Sequence, residues 1–176
     1  MRKIMGKITI LVPAYNEEAV IEKMYERLNE VCADLERHTF EFLFVNDGSQ
    51  DRTLQLVKQL KGKDDRVQYV DLSRNFGKEA AMIAGLDYTK GDAVIIIDAD
   101  LQQPPELFGE MIHWWEEGYD DVYAVRKERE GESWLKKWTS KKYYHLLQKV
   151  SQQDVYPQMG DYRLLDKKCI DALKQL

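Results

Sequence analysis

Asp98 and Asp100, which follow the apolar run Ala93–Ile97, are the side chains best suited to bind a metal ion. Side chains two residues apart in an extended segment point to the same side, so both carboxylates face one way. Two neighbouring carboxylates repel each other unless a cation lies between them. Oxygen ligands favour a hard ion, Mg²⁺ or Mn²⁺, which commonly bridges protein carboxylates and substrate phosphates, and Gln102 can add an amide oxygen. We interpret the pair as a metal site; a solvated acidic turn or a helix cap is the alternative.

Asp47 follows a second apolar run, Glu41–Asn46, and is a further candidate for ligand binding. A carboxylate at this position can accept hydrogen bonds from a ribose hydroxyl or from the edge of a base. Turn chemistry accounts for the neighbouring Gly48 and Ser49. We therefore favour a ligand contact for Asp47, with a cap of the following helix as the alternative.

The segment Pro13–Glu17 offers a shelf for a nucleotide base, with Tyr15 as its apolar wall. By itself this segment is weak evidence, because any turn between a strand and a helix needs such residues. The sequence contains neither a G-x-x-x-x-G-K-[ST] phosphate loop nor a G-x-G-x-x-G dinucleotide fingerprint. It also lacks the G-x-S-x-G motif of serine nucleophiles. These three classes of site are therefore excluded.

Apolar strands that alternate with amphipathic helices must position these side chains. Strands are predicted at Lys7–Val12, Glu41–Asn46, Val67–Leu72, Ala93–Ile97 and Asp121–Val125. The first predicted helix has Asn16 as its cap and an apolar stripe of Ile21, Met24, Leu28, Val31 and Leu35; others span Thr53–Lys61, Lys78–Thr89 and Pro105–Glu117. This alternation indicates an α/β fold, a mostly parallel sheet with helices on both faces. Ligands bind beyond the carboxyl ends of the strands in such a sheet, where the candidate side chains lie.

The composition is that of one globular domain. Of 176 residues, 44% are hydrophobic and 32% are charged. The longest aliphatic stretch, Ala93–Ile97, is far shorter than the roughly 18 residues that a spanning helix needs, and Met1–Gly6 does not have the pattern of a signal peptide. The net charge of −5 argues against a general nucleic-acid partner. Cys32 and Cys169 are predicted to be reduced thiols.

Four motifs resemble, in the same order, those of the inverting family-2 glycosyltransferases. They are Pro13-Ala14-Tyr15-Asn16-Glu17, Asn46-Asp47-Gly48-Ser49-x-Asp51-x-Thr53, Ser73-Arg74-Asn75-Phe76-Gly77-Lys78 and Asp98-Ala99-Asp100-Leu101-Gln102-x-Pro104-Pro105-Glu106. The resemblance covers essentially the whole chain. Through Arg74–Lys78 and Gly160–Asp166 it points to the polyprenyl-phosphate branch, which includes dolichol-phosphate mannose synthases and bacterial undecaprenyl-phosphate glucosyl- and N-acetylglucosaminyltransferases. It implies a GT-A-type nucleotide-diphospho-sugar transferase fold.

The resemblance also implies roles for the candidate residues. The nucleoside would be held by Pro13, Ala14, Tyr15, Glu17, Asp47 and Asp98, and the metal by Asp98, Asp100 and Gln102. Asp100 and Asp161 would be catalytic, with Asp161 orienting the acceptor or taking a proton; a salt bridge between Asp161 and Arg163 that positions a loop is the alternative. The acceptor phosphate would meet Arg126, Lys141 and Arg163. Relatives of the mannose-synthase type carry arginine in place of Lys141, and lysine lacks the bidentate fork of arginine.

The implied reaction is inverting transfer of a hexose from a nucleotide diphosphate sugar to undecaprenyl phosphate, with Mg²⁺ or Mn²⁺ as cofactor. UDP-glucose is the favoured donor, followed by UDP-N-acetylglucosamine and GDP-mannose. Two alternatives stay open. One is a transferase with a saccharide acceptor, and the other is a nucleotide-binding module without turnover.

The segment Ser133–Lys149 alternates aromatic and aliphatic residues with lysines, as an interfacial helix does. It predicts contact with the anionic cytoplasmic face of the bacterial plasma membrane; a helix that packs its aromatic residues on the domain is the alternative. We divide the domain into a nucleotide-sugar-binding core, residues 1–130, and acceptor-side amphipathic helices, residues 131–176, which include a short extended piece at Tyr162–Leu165. Bacterial relatives continue into transmembrane helices, so we expect a soluble fragment of a longer protein; its oligomeric state, including a homo-oligomer, stays open.

Overall fold

The computed structural model describes residues 5–125 and 159–175. The chain forms two compact units, Met1–Tyr123 with Asp161–Leu176, and Ala124–Gly160. The predicted membrane segment Ser133–Lys149 lies outside the described residues, as do Arg126 and Lys141. Among the described residues, no helix has the length and apolar character needed to cross a bilayer.

Six strands form one sheet, and the predicted α/β class is confirmed. They are β1 (Lys7–Ala14), β2 (Thr39–Asn46), β3 (Val67–Asp71), β4 (Ala93–Ile96), β5 (Asp121–Val125) and β6 (Met159–Asp166). Their order is β3-β2-β1-β4-β6-β5, with β1, β2, β3 and β4 parallel and β6 antiparallel to β4. The chain order reverses beside β1, where β4 lies opposite β2. In open α/β sheets such a switch point is where ligands bind.

Helices cover both faces of this sheet. They are α1 (Ile21–Ala33), α2 (Thr53–Lys63), α3 (Lys78–Tyr88), α4 (Phe108–Glu117), which follows a 3₁₀ turn at Pro105–Leu107, and α5 (Lys167–Leu173). On one face, α3 and α5 contribute Ala81 and Ile170 to a core cluster that contains Leu43. On the other face, Tyr25 of α1 meets the ring of Phe42 edge-on, with 5.7 Å between ring centroids. Because adjacent residues of a strand point to opposite faces, both faces of β2 are buried.

The extended piece predicted at Tyr162–Leu165 is part of β6, which lies inside the sheet between β4 and β5. Its register places Ile96 opposite Arg163 and Ala93 opposite Asp166. The strand therefore brings the predicted catalytic residue Asp161 toward the carboxyl end of β4. The division of the domain at residue 130 stays a prediction.

Asn16 does not cap the first helix, contrary to the prediction. Helix α1 begins at Ile21, after a turn in which the carbonyl of Glu17 accepts a hydrogen bond from the N–H of Ile21 (3.0 Å). Asn16 adopts a left-handed φ of 56°, which asparagine tolerates better than most residues. Its amide oxygen accepts from the N–H of Gln50 (2.8 Å), and its own N–H donates to Ser49 Oγ (3.0 Å). Asn16 therefore ties the loop after β1 to the loop after β2.

Strand β1 includes a proline, Pro13, although it is an interior strand. On the β4 side, the carbonyl of Leu11 accepts from the N–H of Ile97 (3.1 Å), and pairing ends with Leu11 opposite Ile96. Residues two apart direct their backbone groups to the same neighbour, so the nitrogen of Pro13 lies beyond the last pair and no ladder bond is lost. On the β2 side, pairing continues to Ala14. Pairing of β1 with β4 thus ends at Leu11, whereas its pairing with β2 continues to Ala14. This difference leaves space beyond the end of β4.

Both cysteines are thiols outside any disulfide, as predicted. Cys32 is buried on α1, and its burial raises the pKa of the thiol to about 12. Cys32 is therefore an apolar core residue at neutral pH rather than a nucleophile.

Gly85 sets how closely α3 approaches the sheet. A Cβ added at Gly85 would lie 2.8 Å from Val45 Cγ2 and would also meet Leu11 Cδ1. We expect Gly85→Ala to lower the free energy of unfolding by about 1–3 kcal/mol through overpacking, although alanine is the better helix former. The same substitution at Gly62 of α2, where an added Cβ meets nothing within 4 Å, should raise it by up to about 1 kcal/mol. Urea unfolding midpoints measure both effects, and equal midpoints would contradict the packing account.

Candidate active site

A cleft of about 380 Å³ lies at the carboxyl ends of β1, β2 and β4, beside the start of α3. Every residue predicted to hold the nucleoside borders it: Pro13, Ala14, Tyr15, Glu17, Asp47 and Asp98. Asp100 borders it as well, with Asn75, Gly77, Lys78, Ala81 and Ala99. The fold therefore brings these predicted residues together, while their individual roles stay predictions.

The loops that form one wall of the cleft are held to each other by hydrogen bonds between side chains and backbone. The N–H of Glu17 donates to Thr53 Oγ1 (2.8 Å), and the N–H of Glu18 donates to Asp51 Oδ2 (3.0 Å). The other oxygen of Asp51 accepts from the N–H of Thr53 (2.9 Å). Asp51 and Thr53 therefore fix the loop that carries Tyr15 and Glu17.

Asp47 is buried at the end of β2 and holds the loop before α3, whereas the alternative prediction was a cap of the helix that follows β2. Its two oxygens accept hydrogen bonds from the N–H groups of Phe76 (2.8 Å) and Gly77 (3.0 Å), just before α3. The two loops touch closely at Gly48, whose φ is +65°; an added Cβ there would lie 2.6 Å from the nitrogen of Asn75. Asp47 thus positions the first residues of α3 against the cleft. Each carboxylate oxygen keeps a second lone pair for a ligand.

The carboxylate of Asp98 has a partner on each of its two oxygens. Lys78 Nζ lies 2.6 Å from Asp98 Oδ1, and Gln103 Nε2 donates to Asp98 Oδ2 (2.8 Å). Gln103 Oε1 in turn accepts from the N–H of Asp98 (2.9 Å). Gln103 therefore fixes the orientation of Asp98 through two hydrogen bonds.

Asp100 follows in a tight and strained turn. Its Oδ1 accepts from the N–H of Gln102 (3.0 Å), while the Gln102 side chain is exposed. Between them, Leu101 has a left-handed φ of 61°, which costs a non-glycine residue about 1–2 kcal/mol. Strain of this kind persists only where the surrounding structure imposes it. The metal role of Gln102 stays a prediction.

The donors of this cleft fit a hard divalent cation whose coordination is completed by a substrate. Asp98 and Asp100 supply carboxylate oxygens at one edge of the cleft. Within residues 5–125 and 159–175, no group of three or more His, Cys, Asp or Glu side chains forms a metal cage. Mg²⁺ and similar ions are commonly held by one or two carboxylates together with substrate phosphates and water. Two carboxylates beside a cleft of this volume match that pattern.

The cleft has a negative electrostatic character. Burial, followed by the nearby carboxylates Asp100, Asp51 and Asp98, raises the pKa of Glu17. Burial acts to lower the pKa of Lys78, but its bonds to Asp98 and Asp161 outweigh this and raise it. A cation is therefore favoured here, and an unaccompanied diphosphate is not.

Asp161 and Arg163 each have a partner on another element. Asp161 Oδ2 lies 2.9 Å from Lys78 Nζ, so the ammonium joins Asp161 to Asp98. Arg163 Nη1 lies 3.4 Å from Asp121 Oδ2. The structure thus connects Asp161 to the cleft. A contact of Arg163 with an acceptor phosphate stays a prediction.

Sequence reasoning gave no role to Lys78 or Gln103. The sequence could have identified Lys78 as a site residue, because it is the first residue of a predicted helix that follows a strand end. For Gln103 there was no local signal, because Gln102 and Gln103 are adjacent and the turn at Leu101 decides which side chain reaches Asp98.

Residues 9–173 match the model of the family described as Glycosyl transferase family 2. The chain is 49% identical to the uncharacterized glycosyltransferase YkcC of Bacillus subtilis (strain 168) over 168 residues, 96% of this chain and 52% of that protein. It is 39% identical to the bactoprenol glucosyl transferase of Shigella phage SfX over 170 residues, 97% of this chain and 55% of that protein. The chain thus spans about half the length of these curated relatives.

The fold is similar to that of the mannosyltransferase PcManGT from Pyrobaculum calidifontis, solved in complex with GDP-Man and Mn²⁺. The TM-score is 0.67 at 19% sequence identity, covering 96% of this chain and 46% of that one. This likeness confirms the predicted GT-A-type fold. The family match over residues 9–173 shows that the chain belongs to glycosyl transferase family 2.

Proposed function

We propose that the chain binds the donor of an inverting hexosyltransferase that moves a sugar from a nucleotide diphosphate to a polyprenyl phosphate. The observation that carries this proposal is the cleft, in which Asp47, Asp98 and Asp100 meet at the switch point of the sheet. The bactoprenol glucosyl transferase relative supports the choice of a glucosyl donor and a polyprenyl phosphate acceptor. UDP-glucose is therefore our first donor, before UDP-N-acetylglucosamine and GDP-mannose.

The nucleoside would bind along the end of β1. Tyr15 is 41% exposed and can present its ring to a base, while Pro13 and Ala14 form an apolar floor. Glu17 and Asp98 can accept hydrogen bonds from ribose or base groups. Asp47 holds the loop of Phe76 and Gly77 and so closes the opposite side.

Asp98 and Asp100 would hold Mg²⁺ or Mn²⁺ against the diphosphate, with Gln102 as a candidate third ligand. When bound, the cation would neutralise the negative charge that develops on the departing nucleoside diphosphate. Gln103 would keep Asp98 oriented through its two hydrogen bonds. Asp100 would be held by the N–H of Gln102.

The acceptor phosphate would act as the nucleophile. Its oxygen forms a bond to the anomeric carbon as the bond from that carbon to the diphosphate oxygen breaks, and attack from the opposite face inverts the configuration. A phosphate monoester has a second pKa near 6 and is largely dianionic at neutral pH, so no strong base is needed. Asp161 would orient the acceptor or take its remaining proton, and Arg126, Lys141 and Arg163 would meet its charge.

The acceptor is a lipid phosphate, so the reaction belongs at a membrane surface. The lysine-rich segment Ser133–Lys149 is our candidate for contact with the cytoplasmic face of the bacterial plasma membrane. This proposal is compatible with both a monomer and a homo-oligomer.

Two measurements test the proposal. Calorimetric titration of UDP and of GDP into the chain, each with and without Mn²⁺, should show UDP binding that is tighter with the metal. The complete gene product, given labelled donor sugars and undecaprenyl phosphate, should form a β-linked lipid product from the α-linked UDP-glucose. Binding of neither nucleotide would overturn the proposal, and metal-dependent binding without transfer would leave a nucleotide-binding module. Transfer to a saccharide in place of the lipid would overturn the acceptor assignment.

A further inference from the structure

Lys78 occupies a central position in the cleft that neither its motif nor the family match explains. It is the first residue of α3, and its ammonium group lies 2.6 Å from Asp98 Oδ1 and 2.9 Å from Asp161 Oδ2. These contacts join α3 to the end of β4 and to β6. The Lys78 side chain is 38% exposed, so it borders solvent and is not locked in the core.

The ion pairs of Lys78 bear on ligand binding, because the other described charged residues of the cleft are acidic. Among the described residues that line the cleft, Lys78 is the only base, and four acidic residues line the cleft with it: Glu17, Asp47, Asp98 and Asp100. A donor diphosphate adds at least two negative charges to this set. The cleft therefore needs its lysine and a further cation to accept such a ligand.

Asp98 already has a partner on each oxygen, so a metal ion bound to its carboxylate would lie close to one of these partners. Lys78 contacts Oδ1, and Gln103 donates to Oδ2. A divalent cation at Oδ1 would meet the positive ammonium group at close range, which is unfavourable. The lysine side chain has a flexible four-carbon stem and three donors, so it can change partners.

We propose that Lys78 is a partner-exchanging residue: it neutralises Asp98 and Asp161 in the free protein, and it moves to a donor phosphate when a cation takes Asp98. This inference rests on the proposed function. The ammonium group and a divalent cation held by Asp98 would repel each other at close range, so the two compete for this carboxylate. The exchange leaves Asp161 unpaired at the moment when the acceptor must be oriented.

The competition predicts shifts of opposite sign in two binding constants. In Lys78→Met, Mn²⁺ alone should bind about tenfold tighter, because Asp98 and Asp161 lose their cation. UDP should bind about tenfold more weakly in the presence of saturating Mn²⁺, because the phosphate loses a charged donor. Lys78→Arg keeps the charge and should return the Mn²⁺ affinity to the wild-type value. Lys90→Met removes an exposed lysine outside the cleft and should change neither constant.

The decrease of the electron paramagnetic resonance signal of free Mn²⁺ measures metal binding without any turnover, and calorimetry measures UDP binding. A thermal unfolding midpoint for each variant shows that it is folded. Unchanged constants in folded Lys78→Met would overturn the inference, and so would a parallel loss of both affinities, which indicates a purely structural ion pair. Failure of the wild-type chain to bind either Mn²⁺ or UDP would instead refute the proposed function itself.

Discussion

Replacement of Asp100 by alanine is expected to lower sugar transfer by the complete gene product by at least about 100-fold. Removal of groups that merely support a metal ligand costs roughly 10–100-fold in affinity or activity, and loss of a ligand itself should cost more. The Mn²⁺-dependent part of UDP affinity should fall with it. The fold should persist, because Asp100 is exposed and, within the described part of the chain, its side chain makes one hydrogen bond, with the N–H of Gln102.

Asp87→Ala is a matched control for this variant. Asp87 is also exposed, but it lies on α3 away from the residues that line the cleft. Its replacement should leave transfer and UDP binding unchanged. If Asp100→Ala transferred sugar at the wild-type rate, and Asp87→Ala did so as well, Asp100 would not be a catalytic residue.

Replacement of Asp47 by alanine is expected to reduce both stability and nucleotide binding. The variant removes the acceptor of the N–H groups of Phe76 and Gly77, two hydrogen bonds that are partly buried. Loss of these two hydrogen bonds should lower the free energy of unfolding by about 1–3 kcal/mol. The loop before α3 should also move, which displaces Lys78 and weakens UDP binding. Urea unfolding and calorimetric titration measure these two effects.

Asp47→Asn separates the structural role of Asp47 from its charge. Its amide oxygen can still accept one hydrogen bond, but its NH₂ group opposes the other N–H. We expect Asp47→Asn to be less stable than the wild type and more stable than Asp47→Ala. Amide hydrogen exchange at Phe76 and Gly77 should be faster than in the wild type. Native exchange rates at both amides in Asp47→Ala would show that the loop is held by other contacts.

The sequence predicted the features of the site that depend on local pattern. Strand ends carry polar residues, and the carboxyl ends of parallel strands meet at one edge, so Asp47, Asp98 and Asp100 were expected together. The cleft does collect them. Strand bounds were also close, because continuous apolar runs mark strands that are buried on both faces.

Contacts between distant segments were not accessible from the sequence. Nothing in the pattern around Tyr162 indicates that β6 inserts beside β4 or that Asp161 meets Lys78. Asparagine is a common helix cap. The side chain of Asn16 nevertheless accepts a hydrogen bond from the loop after β2, and α1 begins at Ile21. In both cases a tertiary contact outweighs a local preference.

Diffraction from a crystal soaked with MnCl₂ and UDP, recorded at the manganese absorption edge, tests the central claim most directly. We predict one anomalous peak between the diphosphate and the carboxylate oxygens of Asp98 and Asp100, with Lys78 Nζ withdrawn from Asp98. UDP bound in the cleft with no anomalous peak at those oxygens would contradict the account.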